Sequence, residues 1–335
     1  MDQAARIAEA LQNRRNVLLL NHVAPDGDSL GSTLALARAL WARGQRALVG
    51  SAEGVPEMYR FLPGSDRIVA VVPEDETFDA VVFMECSAPE RAGALASSAV
   101  GVPMWVNIDH HVSNTGYGDL VLLDSGAAAV AEVVLPIIRV LQPSLDVDSA
   151  TCLLTALLTD TGSFRHASVT PRTFRLAAEL VSVGASPTAI YRWVYEDRTA
   201  AAVRLQGAAL SRLALAEDGR VAWTVVTQAM LRETGAMMEE SEGIVGTLKS
   251  IKGVLVALLF KEEPEGIHVS LRAQEGVRAN VIAEALGGGG HAAAAGFTAR
   301  EPLDDAIRRA LAVVHAELSV SAVTFASDRP PGVVI

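Results

Sequence analysis

At 335 residues the chain is long enough for two separately cored domains, and 50% hydrophobic with 20% charged residues is the composition of a folded globular protein. Its 39 acidic side chains outnumber 28 lysines and arginines, and the formal net charge of −11 excludes a broad basic footprint on duplex nucleic acid. No apolar run is long enough to span a bilayer, Met1-Asp2-Gln3-Ala4-Ala5-Arg6 lacks the apolar core of a signal peptide, and two cysteines, Cys86 and Cys152, support neither a disulfide framework nor a cysteine zinc site, so a cytoplasmic protein with buried thiols is expected.

Residues 4–14 read as a first helix and Val17 to Asn21 as a buried strand. The strand breaks into His22-Val23-Ala24-Pro25-Asp26-Gly27-Asp28, and a helix from Ser29 to Arg43 follows, with Gly44 as its stop. Asp26 and Asp28 flank a glycine, so one turn can aim two carboxylates at a common point while His22 adds a nitrogen. Such hard oxygen donors with imidazole suit Mn²⁺ or Mg²⁺ better than a thiolate-type zinc site. The simpler alternative is a turn in which Asp28 or Ser29 merely caps the helix.

Arg46 to Gly50 and Ile68 to Val72 read as further strands, and Asp79 to Met84 as another that runs into Glu85. Met104 to Ile108 repeats the pattern and ends in Asp109-His110-His111, followed by Asn114. Adjacent side chains point different ways, so one of the two imidazoles can face a metal and the other a phosphate. Helices are expected over Ala127 to Leu141 and Val147 to Thr159, the second delivering Asp160, a carboxylate at the end of a buried helix that requires a partner or a cation. Thr170-Pro171 opens a helix to about Val183. Strands alternating with helices imply a doubly wound, mainly parallel sheet whose strand ends carry the polar groups.

Residues 187–212 read as a helical connector between a first domain (1–186) and a smaller α/β domain (213–323), with a loose tail over 324–335. The second domain is expected to hold a strand at Arg220 to Thr227, short helices at Gln228 to Glu233 and Ile244 to Ile251, strands at Val254 to Lys261 and Gly266 to Arg272 around a turn at 262–265, a helix at Asn280 to Leu286 and a last helix at Asp304 to Leu318. Gly287-Gly288-Gly289-Gly290-His291 lies between the last two. Glycine backbones can converge their N–H groups on an anion, and Arg272 and His291 add charge for a phosphate.

Taken together, HVAPDGDS at 22–29, MECS at 84–87, IDHHVSN at 108–114, TDTGSF at 159–164 and GGGGHAAAAGF at 287–297 resemble the ordered motifs of the DHH phosphoesterase superfamily. In size and second domain the chain is similar to its nanoRNase and pAp-phosphatase subfamily, which also includes cyclic dinucleotide phosphodiesterases. The resemblance implies a two-manganese site between the domains, with Mg²⁺ as a substitute. His22 and Asp26 would hold one ion and Asp28, His110 and Asp160 the other, with Glu85 bridging. Asp109 and His111 would be catalytic, His111 at the scissile phosphate, while Arg272, Gly288, Gly289, Gly290, His291 and Asn114 would bind substrate. The family usually has aspartate where this chain has Glu85, and often a longer polar residue where it has Ala292.

The expected activity is Mn²⁺-dependent hydrolysis of short RNA or DNA oligonucleotides to nucleoside 5′-monophosphates, with pAp dephosphorylation. Hydrolysis of cyclic di-AMP or a linear dinucleotide is the enzymatic alternative, and a nucleotide-binding regulator with an impaired cage, motivated by Glu85, the non-enzymatic one. Neither a membrane nor duplex nucleic acid is an expected partner; the sequence leaves the oligomeric state open, with helices near residues 125–145 as the candidate surface for a homodimer.

Overall fold

The computed structural model describes residues 2–290 and 292–320, so His291 and the expected tail over 324–335 lie outside the described residues. The chain divides into two compact units, Met1–Asp197 and Arg198–Ile335. Among the described residues no helix is long and apolar enough to cross a membrane.

In the first unit, α1 (Gln3–Gln12) and β1 (Asn16–Leu20) lead to α2 (Gly27–Ala42), which stops where Gly44 takes a positive φ of 76°. Then come β2 (Arg46–Gly50), the short β3 (Ile68–Val69), β4 (Ala80–Met84), β5 (Trp105–Asp109) and β6 (Leu120–Leu123). Every neighbouring pair is parallel, in the order β3-β2-β1-β4-β5-β6. The order reverses between β1 and β4, and the crevice outside the carboxyl ends at such a reversal is where open α/β sheets bind ligands. His22, Asp26 and Asp28 follow β1 and Glu85 follows β4, so the motifs stand at that crevice.

Alternate residues of the buried strands feed two cores. Val17 and Leu19 pack with α1, α2, α3 (Val130–Leu141), α4 (Val147–Asp160) and α5 (Pro171–Val183). Leu18, Leu20, Val81 and Phe83 face a kinked 3₁₀ stretch, Pro89–Ala99, through Ala92, Leu95 and Ala99. Helices α2 and α4 pack closely through two glycines of α2. A Cβ on Gly31 would lie 2.3 Å from the Cys152 carbonyl oxygen, and one on Gly27 would lie 2.6 Å from Thr159 Cγ2. Both cysteines are buried and free, as composition suggested.

The stretch 187–212 is not one continuous helix. It begins as α6 (Pro187–Tyr191), passes through a π-helical turn over Arg192–Glu196, breaks, and resumes as α7 (Ala200–Leu210), whose N-terminus is capped by Thr199 Oγ1 accepting from Ala202 N at 3.0 Å. A threonine cap starts a new helix and does not continue an old one, which is why the run is interrupted there. The division into units falls in this break.

The second unit is a six-stranded mixed sheet between two helical layers. Its elements are β7 (Ala214–Ala216), β8 (Val221–Val226), α8 (Gln228–Thr234), α9 (Ile244–Lys249), β9 (Val256–Glu263), β10 (Gly266–Ala273), α10 (Ala279–Ala285), β11 (Gly289–Gly290), β12 (Ala294–Ala299) and α11 (Leu303–Val320), and the sheet order is β11-β12-β10-β9-β8-β7. One face packs on α10 and α11 and the other on α7, α8 and α9. The expected turn at 262–265 tightens to Pro264-Glu265, since Glu263 pairs with Gly266. The glycine run is part of the sheet rather than a free loop, Gly289 and Gly290 pairing with Gly296 and Ala295.

Candidate functional site

Asp26, rather than Asp28 or Ser29, caps α2: its Oδ1 accepts from Asp28 N at 3.0 Å and Ser29 N at 2.9 Å. Asp28 is thereby carried into the first helical turn and is fully buried. Its carboxylate accepts from Val130 N at 2.6 Å and Ala131 N at 3.2 Å, the open N–H groups at the start of α3, and from Ser32 Oγ at 3.0 Å.

Two histidines are oriented alike. His22 Nδ1 lies 2.7 Å from the Val23 carbonyl and His110 Nδ1 lies 3.1 Å from the Ala127 carbonyl. A carbonyl only accepts, so each Nδ1 carries the proton and each Nε2 turns its lone pair into the site. Nε2 of His22 stands 4.0 Å from Asp26 Oδ1 and 3.9 Å from Glu85 Oε2, and Nε2 of His110 stands 3.8 Å from Glu85 Oε1 and 3.6 Å from Asp160 Oδ2. These separations are too long for hydrogen bonds yet short enough for one small cation to touch both members. His22, Asp26 and Glu85 form one group of donors within 4.8 Å of one another, and Asp28, His110 and Asp160 form a second.

The electrostatics suit such a cation. Burial, then the charges of Asp26, Asp28, Asp160 and Asp109, push Glu85 well above the usual carboxylate range, and Glu85 Oε2 is buried without a hydrogen-bond partner. Burial and Asp160 raise Asp28 well above that range, and burial raises Asp160 to about 6 against the pull of His110. Carboxylate oxygens with imidazole nitrogens, one oxygen buried and unpaired, fit divalent cations of the Mg²⁺ and Mn²⁺ kind.

Asp109 behaves differently. Burial would raise it, but its hydrogen bond and charge interaction with His111, and the amide of Asn114, hold it below the usual range. Its Oδ1 is 2.6 Å from His111 Nδ1, which leaves Nε2 as the outer ring atom, and its Oδ2 accepts from Asn114 Nδ2 at 2.6 Å. Asn114, expected at the substrate, also donates to the Cys86 carbonyl at 3.3 Å and accepts from Gly116 N at 2.7 Å, so its amide orients Asp109.

Backbone strain gathers at the same strand and helix ends. Glu85 has a φ of 58°, and Gly162, Ser163 and Phe164 after Asp160 have φ of 55°, 60° and 65°. The left-handed region costs a non-glycine residue about 1–2 kcal/mol, so the surrounding packing must impose these turns. The His166 ring is seated on Gly162, where a Cβ would come within 2.5 Å of Nε2, and His166 Nδ1 donates to the Asp160 carbonyl at 2.9 Å.

In the second unit Arg272 is half-buried at the end of β10, donates from Nη1 to the Leu271 carbonyl at 2.9 Å, and has its pKa lowered by burial. A Cβ on Gly288 would lie 2.1 Å from the Gly296 carbonyl oxygen, and one on Gly290, whose φ is 139°, would lie 2.6 Å from Ala295 Cα. Around Gly289 there is open space. The glycines at 288 and 290 are therefore demanded by strand pairing, and Gly289 is not.

Sequence reasoning left out the groups that hold these donors. Asn107 Nδ2 and Tyr117 OH both donate to the Cys86 carbonyl at 3.0 Å, fixing the turn that carries Glu85. Glu132 was also missed, although a lone acid in the apolar run Val130-Ala131-Glu132-Val133-Val134-Leu135 is a legible sign of a buried charge.

Residues 16–159 match the family model for the DHH family N-terminal domain, and residues 220–319 match that for the DHHA1 domain. A Thermus thermophilus protein named bifunctional oligoribonuclease and PAP phosphatase NrnA is 36% identical over 307 residues, covering 90% of this chain and 90% of that one. A Bacillus subtilis protein of the same name is 27% identical over 284 residues, 84% of this chain and 88% of that one. An exopolyphosphatase-related protein from Bacteroides fragilis shares the fold at a TM-score of 0.90 and 24% identity, covering 95% of this chain and 97% of that one.

Proposed function

The chain belongs to the DHH family of phosphoesterases, and from that membership and the donor geometry we propose that it is a Mn²⁺-dependent hydrolase of short oligonucleotides, releasing nucleoside 5′-monophosphates and removing the 3′-phosphate of pAp. The observation that carries the proposal is Glu85, whose two oxygens face the Nε2 atoms of two oppositely placed histidines, joining two donor groups into one site. The oligoribonuclease and PAP phosphatase names of two relatives aligned over most of their length support the substrate class.

In this reading His22, Asp26 and Glu85 hold one ion and Asp28, His110 and Asp160 the other, with Glu85 shared. Bound there, divalent ions supply Lewis acidity and offset charge on phosphate oxygens. The protein's own part is orientation. Val23 and Ala127 fix the proton on Nδ1 of the two ligand histidines, and Asp109 fixes the ring of His111 so that Nε2 meets the phosphate. In the second unit Arg272, the backbone around Gly289 and His291 are the residues proposed to contact nucleotide phosphate. A chain of net charge −11 suits substrates with few phosphates.

The test is hydrolysis of an RNA dinucleotide, an RNA pentanucleotide, pAp and cyclic di-AMP, each with Mn²⁺, Mg²⁺ or EDTA. Mn²⁺-dependent loss of the short oligomers and pAp is expected. Turnover of cyclic di-AMP alone would move the substrate assignment, and no turnover of any of the four would sink it.

A further inference from the structure

The turn between β6 and α3 serves two members of the second donor group at once. Its Ala127 carbonyl accepts from Nδ1 of His110, and the first N–H groups of the helix it leads into, Val130 and Ala131, donate to the carboxylate of Asp28. If the turn shifts, the imidazole and the carboxylate shift together. Short internal bonds shape it, Ala127 N to Asp124 O at 3.0 Å and Gly126 N to Asp124 Oδ1 at 3.1 Å, while Asp124 N donates to the Asp109 carbonyl at 3.2 Å and Ala127 and Ala129 are buried in the core.

The side-chain clamp on it is Arg172, in the first turn of α5. One guanidinium grips both ends of the turn. Nη1 lies 2.6 Å from Asp124 Oδ2, Nε lies 3.2 Å from Glu132 Oε2, and Nη2 donates to the Glu132 carbonyl at 2.7 Å. The Glu132 side chain is only 1% exposed, and among the described residues Arg172 is the cation within 4 Å of it. A planar fork can make these three contacts at once, and a lysine cannot.

We propose that Arg172 is a positioning residue for the second cation site, clamping the turn at 124–132 so that the Ala127 carbonyl and the α3 N–H groups hold His110 and Asp28 in the geometry that binds metal. The inference rests on the metal reading of the site. It concerns a side chain that is not itself a ligand, so the two can fail separately.

The experiment is Mn²⁺ titration of the full chain by calorimetry, with the metal-free melting temperature measured for each variant. Arg172→Gln is expected to weaken the second Mn²⁺ at least 10-fold, within the range for loss of a group that orients a ligand, while the first Mn²⁺ changes less than about 3-fold. Arg172→Lys should fall between wild type and Arg172→Gln. Asp124→Asn keeps the acceptor for Gly126 N and leaves Glu132 paired with Arg172, so it folds even if Arg172→Gln does not, and it should weaken the same site in the same direction. A lowered melting temperature with both affinities at wild-type values would show a purely structural ion pair and overturn the proposal. Wild-type protein that binds no Mn²⁺ would sink the metal reading together with it, whereas two wild-type sites left unchanged by the variants would sink this inference alone.

Discussion

Glu85 Oε2 lies 3.9 Å from His22 Nε2 while Glu85 Oε1 lies 3.8 Å from His110 Nε2, so one glutamate spans the interval between the two histidines. The side chain starts from a backbone held at a φ of 58°. The extra methylene relative to aspartate is thus used to reach both groups from an unusual starting direction. Glu85→Asp should withdraw the carboxylate from at least one histidine and lower Mn²⁺-dependent turnover by 10-fold or more, because displacements of an ångström cost about that much or more. A rise in turnover on the same change would instead favour the regulator with an impaired cage.

The Asp109 and His111 pair carries a second prediction. Asp109→Asn replaces an oxygen pair that serves His111, Asn114 and two backbone N–H groups with a single acceptor. Turnover of pAp should fall about 100-fold, the lower range for loss of positioned acid–base function, with the far-ultraviolet circular dichroism spectrum unchanged. Activity within 3-fold of wild type would remove Asp109 and His111 from the chemistry.

Stability without metal should decline as pH rises. Burial and neighbouring charge raise Asp28, Glu85 and Asp160 in the folded protein, Asp160 to about 6, while His110, which burial alone would lower, is raised by Asp28 and Asp160. Each of these groups keeps its proton to a higher pH when folded than when unfolded, so the folded state binds more protons and stability is lost as pH climbs through the folded values. Asp109 is lowered and acts with the opposite sign, its contribution being lost only in acid. The metal-free melting temperature should therefore drop as pH climbs from the ordinary carboxylate range through about 6, where Asp160 loses its proton, and keep falling as the other raised groups follow. Mn²⁺ should abolish most of the drop, and Asp160→Asn should flatten it. A flat or rising metal-free curve would count against carboxylate crowding.

The glycine run separates packing from binding. Gly288→Ala drives a Cβ to 2.1 Å from the Gly296 carbonyl oxygen and should cost about 1–3 kcal/mol in denaturant titration. Gly289→Ala enters open space and should leave stability unchanged. If the backbone there approaches the substrate, that second variant should raise KM about 10-fold with kcat conserved, and an unchanged KM would take Gly289 out of the binding site.

Much of this arrangement is readable from the chain. The apolar run before His22, the Thr170-Pro171 start of α5, which the structure realises as a capping box, and Gly44 after α2 each name their element through local chemistry. What escaped was set by distant partners. Strand β6 is half exposed and four residues long, so its pattern is too weak to distinguish from loop until β5 pairs with it. The break in the connector depends on Thr199 acting as a cap, and the polyglycine run becomes strand only because β12 lies beside it. At the site, the six donors were identifiable by type, but Asp28 bonds to N–H groups more than a hundred residues away, and Arg172 reaches across from another helix to the turn that supplies them. No local pattern encodes such separations.

The contact between α2 and α4 bears on when the protein acquires its ions. With no side chain at Gly31 the helices meet at the Cys152 carbonyl, and with none at Gly27 the Thr159 side chain packs onto the backbone, so the helix delivering Asp28 is fixed against the one ending in Asp160 by packing inside an apolar core. The spacing of those carboxylates is a property of the folded scaffold, unlike a zinc finger, whose ligands come together only around the metal. The proposed site would thus empty and refill without unfolding, even though a bound ion adds to the stability of the fold. A chelator should strip the protein to an inactive but native form that regains activity as soon as Mn²⁺ returns, making metal supply a reversible control on a standing population of enzyme.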